Sequence, residues 1–156
     1  MERKTKVHAE EGTQVVTITR EFELPLDLLF KAYVEPEIVE QWMGTKVLKL
    51  ENKQHGGWEF HTSDDKGNVV VQMHGTIHEF TPERRIVRTF EMANTPFPVQ
   101  LEFLEFESLG EDASKLTMQI VYRSPADRDA MLKLPFSYGI NMAHDRLQDI
   151  VNKLKR

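Results

Sequence analysis

The sequence lacks cysteine, long apolar runs and an excess of basic residues. None of its 156 residues is cysteine, which excludes disulfide scaffolds, cysteine-ligated zinc, iron–sulfur clusters and thiol catalysis. No stretch approaches the roughly 20 consecutive apolar residues that span a bilayer. Acidic residues outnumber lysine and arginine by 25 to 20, for a formal net charge of −5. Without a basic footprint and an apolar span, we expect neither nucleic-acid binding nor membrane insertion.

The composition fits a single folded domain. Hydrophobic residues make up 40% of the chain and aromatic residues 9%. A chain of this length buries roughly 68–70% of the surface that it exposes when unfolded, so one core forms without a metal or a disulfide. We therefore expect one domain over residues 1–156, with residues 1–12 as a flexible lead-in. The lead-in has no apolar signal segment, which favours a cytoplasmic location.

Hydrophobic periodicity predicts a strand and then two short helices. From Thr13 to Leu24 apolar and polar residues alternate, as in a half-buried strand, although Arg20 falls on the apolar side. Two stripes at helical spacing follow: Leu26, Leu29, Phe30 and Tyr33 after Pro25, then Ile38, Val39, Trp42 and Met43 after Pro36. Gly44 suits the end of the second helix.

Strand patterns then continue as far as a C-terminal helix. Alternating residues between turn signals predict strands near residues 45–53, 57–62, 69–77, 86–90, 98–109 and 115–122. The apolar phase slips by one position between Phe103 and Leu104, which predicts a β-bulge there. A helix is expected to begin with Ser124 as its cap and to break at Pro135. An apolar stripe from Phe136 to Leu154 predicts the long final helix.

This order predicts an α+β fold. About seven antiparallel strands form a curved sheet that wraps around the long C-terminal helix, since no other element is long enough to cover the sheet's apolar face. The two short helices after the first strand close one end. A space is expected between the concave face of the sheet and the helix.

Short motifs in a characteristic order carry a family resemblance. They include Arg20-Glu21-Phe22-Glu23-Leu24-Pro25, Gln41-Trp42-Met43-Gly44, Gly56-Gly57-Trp58-Glu59-Phe60, Gly75-Thr76-Ile77-His78-Glu79-Phe80 and Ser124-Pro125-Ala126-Asp127. Over roughly residues 13–154 the chain resembles the START-like, or helix-grip, superfamily, also called SRPBCC. Within it, the chain is similar to the family of the activator of heat-shock protein 90 ATPase.

The resemblance implies the helix-grip fold and a cavity of ligand size. Two residues depart from the family pattern near the last helix, namely Ile140 in place of an aromatic residue and Pro135 in place of a glycine. The superfamily includes lipid carriers, hormone receptors, polyketide cyclases and chaperone activators. The fold alone therefore does not select a function.

The sequence has few candidates for metal binding or catalysis. His74 and His78 lie on a predicted strand, where four residues span about 13 Å, too far for one zinc ion with Zn–N bonds of about 2.1 Å. Asp64 and Asp65 lie in a predicted turn, and no nucleophile-elbow or phosphate-binding glycine motif occurs. We expect no catalytic residue, metal or cofactor. A cyclase-like or hydrolase-like enzyme would need an inward acid and base close together, and it is the third alternative.

Three polar residues share the apolar side of predicted strands. Arg88 either points into the cavity, where it needs an acidic partner or an anion, or joins the exposed charges. The same question applies to Arg20. Tyr122 either offers its hydroxyl to a ligand or bonds to the backbone in the core.

The aromatic and methionine residues either fill the core or line a pocket. On the second interpretation, the candidate ligand-binding residues are Trp42, Trp58, Phe60, Met73, Arg88, Phe90, Phe103, Met118, Tyr122, Phe136, Tyr138 and Ile140. The leading hypothesis is non-catalytic binding of a hydrophobic or aromatic small molecule in the cavity, in a role related to stress or chaperones that the resemblance implies. The alternative is a domain that engages an Hsp90-type chaperone through its surface. We expect a monomer or a weak homodimer.

Overall fold

The computed structural model describes residues 3–155, which form eight strands and four helices. Strands β1 (Lys6–His8) and β2 (Val15–Phe22) precede helices α1 (Leu26–Val34) and α2 (Pro36–Met43). Six strands follow: β3 (Lys46–Leu50), β4 (Gly57–Ser63), β5 (Val69–Thr81), β6 (Arg85–Met92), β7 (Gln100–Gly110) and β8 (Ala113–Val121). The chain ends with α3 (Pro125–Leu132) and α4 (Phe136–Asn152).

The strands form one curved antiparallel sheet in the order β1-β2-β8-β7-β6-β5-β4-β3. Strands β3 to β8 form a meander. The last of them, β8, pairs on its other side with β2. The predicted α+β class is confirmed. None of the helices within residues 3–155 has the length and apolar composition needed to cross a membrane.

The structure has one strand more than the sequence predicts, and it lies in the segment expected to be a flexible lead-in. Lys6, Val7 and His8 pair with Thr19, Ile18 and Thr17 of β2. A strand this short has no periodicity of its own, because Val7 is its only large apolar residue. Pairing with β2 creates it, so residues 6–8 differ from the expected lead-in.

Helices α1 and α2 form as predicted, and both bury their apolar stripes. In α2 the buried residues are Ile38, Val39 and Trp42, and Gly44 ends the helix in the left-handed conformation with φ of 64°. The Trp42 indole donates a hydrogen bond of 2.7 Å to the Ala32 carbonyl oxygen and so fixes α2 against α1.

Strand β7 corrects one prediction. It pairs with β8 without a register shift from Leu101 to Ser108, so there is no bulge between Phe103 and Leu104. Gln100, Glu102, Leu104 and Phe106 are buried on the inner face. The slip in apolar phase has another cause: two polar residues take inward positions, while Leu101 and Phe103 lie half-buried on the outer face.

Helices α3 and α4 are separated at Pro135, as predicted. The Ser124 hydroxyl caps α3 by accepting a hydrogen bond of 3.1 Å from the Asp127 backbone N–H. Helix α4 ends at Asn152, so the predicted stripe is shortened and Leu154 is exposed. Its fully buried residues include His144 as well as Leu147.

The core lies between the inner face of the sheet and the helices, and one glycine is essential to its packing. A Cβ atom on Gly75 would lie 1.9 Å from the Thr89 carbonyl oxygen and 2.7 Å from Nε1 of Trp58. That nitrogen donates a hydrogen bond of 3.1 Å to the same carbonyl. Only glycine therefore leaves room for the Trp58 indole beside β6.

Candidate ligand-binding cavity

A cavity of about 310 Å³ lies between the inner face of the sheet and the helices. Strands β2, β4, β6, β7 and β8 provide one side, and α2 and α4 provide most of the other. The predicted space beneath the C-terminal helix is therefore present.

Eight of the predicted ligand-binding residues line this cavity. They are Trp42, Phe60, Arg88, Phe90, Met118, Tyr122, Phe136 and Ile140. All but two are apolar, and they come from β4, β6, β8, α2, α4 and the residue after β8. The two polar members, Arg88 and Tyr122, are both buried. The structure thus answers one question left open by the sequence: Arg88 points inward.

Four predicted residues do not line the cavity. Trp58 is buried but does not line the cavity. Its ring packs against Phe60 and Phe90 at centroid distances of 4.9 Å and 5.8 Å. Met73 is half-buried on β5. Phe103 lies on the outer face, because β7 keeps its register. Tyr138 is 55% exposed on α4, and the Arg3 guanidinium lies 5.8 Å from its ring centroid.

Sequence reasoning missed eleven lining residues. They are Ile18, Tyr33, Val39, Met43, Met92, Gln100, Glu102, Ile120, Met131, Ala143 and Arg146. Among the apolar ones, Tyr33, Val39 and Met43 lie in the predicted helical stripes, so their periodicity could have placed them at the cavity. No such signal exists for Gln100 and Glu102, because polar residues at alternating positions normally indicate the solvent-facing side of a strand.

Antiparallel pairing arranges the polar residues in two adjacent rows across the sheet. In the first row, Arg88 of β6 pairs with Glu102 of β7, which pairs with Ile120 of β8. In the second row, Phe90 pairs with Gln100. Because Leu101 pairs with Val121, the next inward residue beside Gln100 is Tyr122. Paired side chains on one face lie about 5 Å apart, so these groups form one polar cluster in an otherwise apolar wall.

A buried ion pair is at the centre of this cluster. Arg88 Nε donates a hydrogen bond of 3.0 Å to Oε1 of Glu102, and the two side chains are 11% and 5% exposed. Gln100 Nε2 donates to the other Glu102 oxygen at 3.1 Å. The Arg88 guanidinium also lies 4.8 Å from the Trp58 ring centroid, within range of a cation–π contact. Glu102 is the acidic partner that an inward arginine requires.

Two tyrosine hydroxyls in the lining stay protonated. Burial raises the pKa of Tyr33 and Tyr122 well above the usual value of a phenol, and the nearby Glu102 charge raises that of Tyr122 further. Each is therefore an O–H group at neutral pH. The buried Tyr122 hydroxyl has no hydrogen-bond partner within residues 3–155, so its bonding capacity is unused.

Helix α4 closes the cavity and is fixed to α2 at its edge. Arg146 Nε donates a hydrogen bond of 3.0 Å to the Trp42 carbonyl oxygen. Both departures from the family pattern are near this wall: Pro135 precedes the helix, and Ile140 contributes its side chain to the lining.

Arg20, the other inward arginine, is buried outside the cavity. Its Nη2 lies 3.0 Å from Oδ1 of Asp145, and its Nη1 donates a hydrogen bond of 3.0 Å to the Thr5 hydroxyl. Its guanidinium also lies 5.2 Å from the Phe22 ring centroid. Arg20 therefore joins β2 and the residue before β1 to α4, and it does not line the cavity.

The two histidines considered as metal ligands, His74 and His78, both lie on β5. His74 lies on β5, where Nε2 is 4.0 Å from Glu91 and the side chain is partly exposed, and His78 is also exposed. Within the described part of the chain, no group of three or more histidine or carboxylate side chains is arranged to hold a metal ion.

A curved antiparallel sheet that surrounds a C-terminal helix and encloses a cavity is the START-like, helix-grip fold. The model of the family described as "Activator of Hsp90 ATPase homolog 1-like protein" matches residues 23–152. The chain belongs to this family, and the resemblance seen in its motifs is confirmed. Fold and family together support a ligand-binding or Hsp90-ATPase-activator-like domain.

Solved structures share the fold at low sequence identity. A protein from Rhodobacter sphaeroides superposes with a TM-score of 0.85 and 17% identity, over 96% of this chain and 99% of that one. Protein Ms6760 from Mycobacterium smegmatis superposes with a TM-score of 0.82 and 18% identity, over 94% of this chain and 95% of that one. A protein from Arthrobacter aurescens superposes with a TM-score of 0.85 and 12% identity, over 95% of this chain and 91% of that one. No curated protein matches the chain.

Proposed function

We propose that this protein binds a hydrophobic or aromatic small molecule in the cavity beneath α4 and does not catalyse a reaction on it. The observation that carries this proposal is a cavity of about 310 Å³ with mostly apolar walls and one cluster of buried polar groups. Small-molecule sites have this composition, and their volumes begin at about 300 Å³. The ligand-contacting residues we propose are the eight predicted residues that line the cavity.

The state of Glu102 favours binding over catalysis. It is the only carboxylate among the described lining residues, and its two oxygens accept hydrogen bonds from Arg88 and Gln100. Catalysis by a general acid and base needs two such groups close together, and the described lining has no histidine or second carboxylate to pair with Glu102. A carboxylate held in an ion pair and an amide contact is instead suited to fixing the arginine in place.

Thermal unfolding with a panel of hydrophobic ligands tests the proposal. A ligand present at 100 times its dissociation constant stabilises the folded state by about 2.7 kcal/mol, which raises the melting temperature by several degrees. We expect neutral ligands of one or two rings to produce such a shift, and hydrophilic sugars of similar size to produce none. Absence of a shift across the whole panel would refute the binding function.

The second candidate function is activation of an Hsp90-type chaperone through the protein surface, and the family match favours it. The measurement is the ATPase rate of such a chaperone with and without saturating amounts of this protein. A severalfold increase that is unchanged by cavity-filling substitutions would support this function in place of ligand binding. A stress-related role, a cytoplasmic location and a monomeric or weakly dimeric state stay predictions.

A further inference from the structure

Two hydrogen-bond donors in the cavity wall are unused. Arg88 makes its hydrogen bond to Glu102 through Nε, and within residues 3–155 its two Nη nitrogens have no hydrogen-bond partner. The Tyr122 hydroxyl is buried and also lacks a partner there. Leaving a buried donor without an acceptor is costly, so a ligand that supplies one to the Tyr122 hydroxyl makes a hydrogen bond that the protein alone does not make.

These donors belong to one cluster. Arg88 and Glu102 are paired across β6 and β7, and Gln100, two residues from Glu102, is beside Tyr122. The Gln100 amide donates a hydrogen bond of 3.1 Å to Glu102, which fixes the Gln100 side chain. The cluster thus has a rigid centre, and its Arg88 and Tyr122 donors both line the cavity.

The net charge of the cluster is zero, and the other arginine of the lining, Arg146, is exposed at the edge of the cavity. Glu102 balances Arg88 at 3.0 Å, and burial keeps the Tyr122 hydroxyl protonated. A carboxylate ligand would add a second negative charge next to Glu102 in a desolvated site, which is costly. A neutral acceptor receives the same hydrogen bonds without that cost.

We infer that the ligand is an uncharged molecule with a carbonyl-type acceptor, which binds to the Arg88 Nη atoms and the Tyr122 hydroxyl while its apolar part lies against α4. This inference rests on the proposed binding function. Met118, Phe136 and Ile140 provide the apolar surface for the rest of the molecule. The polar cluster then selects among apolar ligands by their acceptor and their charge.

Three naphthalenes with a substituent at the same ring carbon test this inference by isothermal titration calorimetry. The substituents are acetyl, isopropyl and carboxylate, which have equal numbers of non-hydrogen atoms and differ in polarity and charge. We expect the methyl ketone to bind about tenfold more tightly than the hydrocarbon, because one or two net hydrogen bonds are added. The carboxylate should bind more weakly than the ketone.

Two substitutions, Tyr122→Phe and Arg88→Lys, test which protein donors contact the ligand's carbonyl oxygen. Tyr122→Phe removes a hydroxyl that has no partner in the protein, so the fold is retained, and it should weaken ketone binding about fivefold while leaving the hydrocarbon within about twofold. Arg88→Lys keeps the positive charge opposite Glu102 but loses the forked donors, and it should act in the same direction. Tyr138→Phe, on the exposed face of α4, is the matched control and should change neither affinity.

The possible outcomes separate the inference from the proposed function. If the hydrocarbon binds as tightly as the ketone, or if Tyr122→Phe leaves the preference unchanged, the acceptor site is refuted while binding in the cavity stands. If the carboxylate binds most tightly, the site selects an anion and the inference is wrong. If none of the three binds, the binding function fails and the inference fails with it.

Discussion

The Thr5 hydroxyl lies 2.8 Å from Nδ1 of His144, a contact that joins the residue before β1 to α4 across 139 residues of sequence. The same hydroxyl accepts a hydrogen bond of 3.0 Å from Arg20 Nη1, so it links the arginine to the imidazole. These contacts fix the position of the helix that closes the cavity.

Replacing Thr5 with valine should destabilise the protein by about 1–3 kcal/mol. The substitution keeps the shape of the side chain but leaves His144 Nδ1 without its partner and weakens the bonding of Arg20 in a buried site. Urea unfolding at neutral pH measures the loss. Thr76→Val, at an exposed position of β5, is the control and should change stability by less than about 0.5 kcal/mol. Equal effects of the two substitutions would mean that the Thr5 contact contributes little.

His144 should make stability depend on pH. Burial, aided by the Arg20 charge, lowers the pKa of His144 from 6.5 to about 3 in the folded protein. As the pH falls below about 6.5, the unfolded chain binds a proton that the folded protein takes up only near pH 3. The stabilisation from the neutral ring is thus present above pH 6.5 and decreases across this window, by up to about 1.4 kcal/mol per pH unit.

His144→Gln isolates this contribution. The variant should be less stable than the parent at about pH 7, but its stability should fall less steeply between about pH 6 and pH 4, since it lacks the titrating ring. Urea unfolding at several pH values gives both slopes. His78→Gln, at an exposed position, serves as the control and should keep the parent slope. A parent slope retained in His144→Gln would assign the acid sensitivity to other groups.

The Arg88–Glu102 pair should show strong coupling. Arg88→Met leaves Glu102 charged and buried beside Gln100, which should cost about 3–5 kcal/mol. Combined with Glu102→Met, it should cost less than either single change, because no buried charge remains unpaired. The free energies of unfolding of the two single variants and the double variant complete the cycle.

The neighbouring pair on the same two strands is the control for this cycle. Arg85 and Glu105 are 3.1 Å apart, with side chains 47% and 53% exposed. Arg85→Met should cost no more than about 1 kcal/mol, because water screens an exposed pair. Similar costs for Arg85→Met and Arg88→Met would mean that water screens the inner pair as well as it screens the outer one.

Met118→Trp should abolish ligand binding while the protein remains folded. Met118 lines the cavity from β8, and the larger indole has space to fill. Binding of isopropylnaphthalene, followed by calorimetry, should be lost, whereas Met142→Trp at a partly exposed position of α4 should retain it. A loss of about 1–3 kcal/mol of stability with unchanged binding would instead mean that Met118 is tightly packed in the core, away from the ligand.

Much of the fold could be predicted because its signals are local. The apolar spacing of α1 and α2, the Ser124 cap and the break at Pro135 all involve residues within a few positions of each other. Phe103 shows the limit of this reasoning. Its phase with Val99 and Leu101 suggested an inward side chain, but pairing of β7 with both neighbours turned it outward and placed Glu102 inside.

By itself, the sequence determined the class of fold, the order of its elements and most of the apolar wall, because periodicity and capping are encoded in neighbouring residues. Tertiary structure alone decided the polar part of the cavity and the attachment of α4. Arg88 and Glu102 meet through strand register, and Thr5, Arg20 and His144 meet only after β1 docks on β2. A buried charge or hydroxyl is stabilised by partners distant in sequence, and only the folded chain brings those partners within hydrogen-bonding distance.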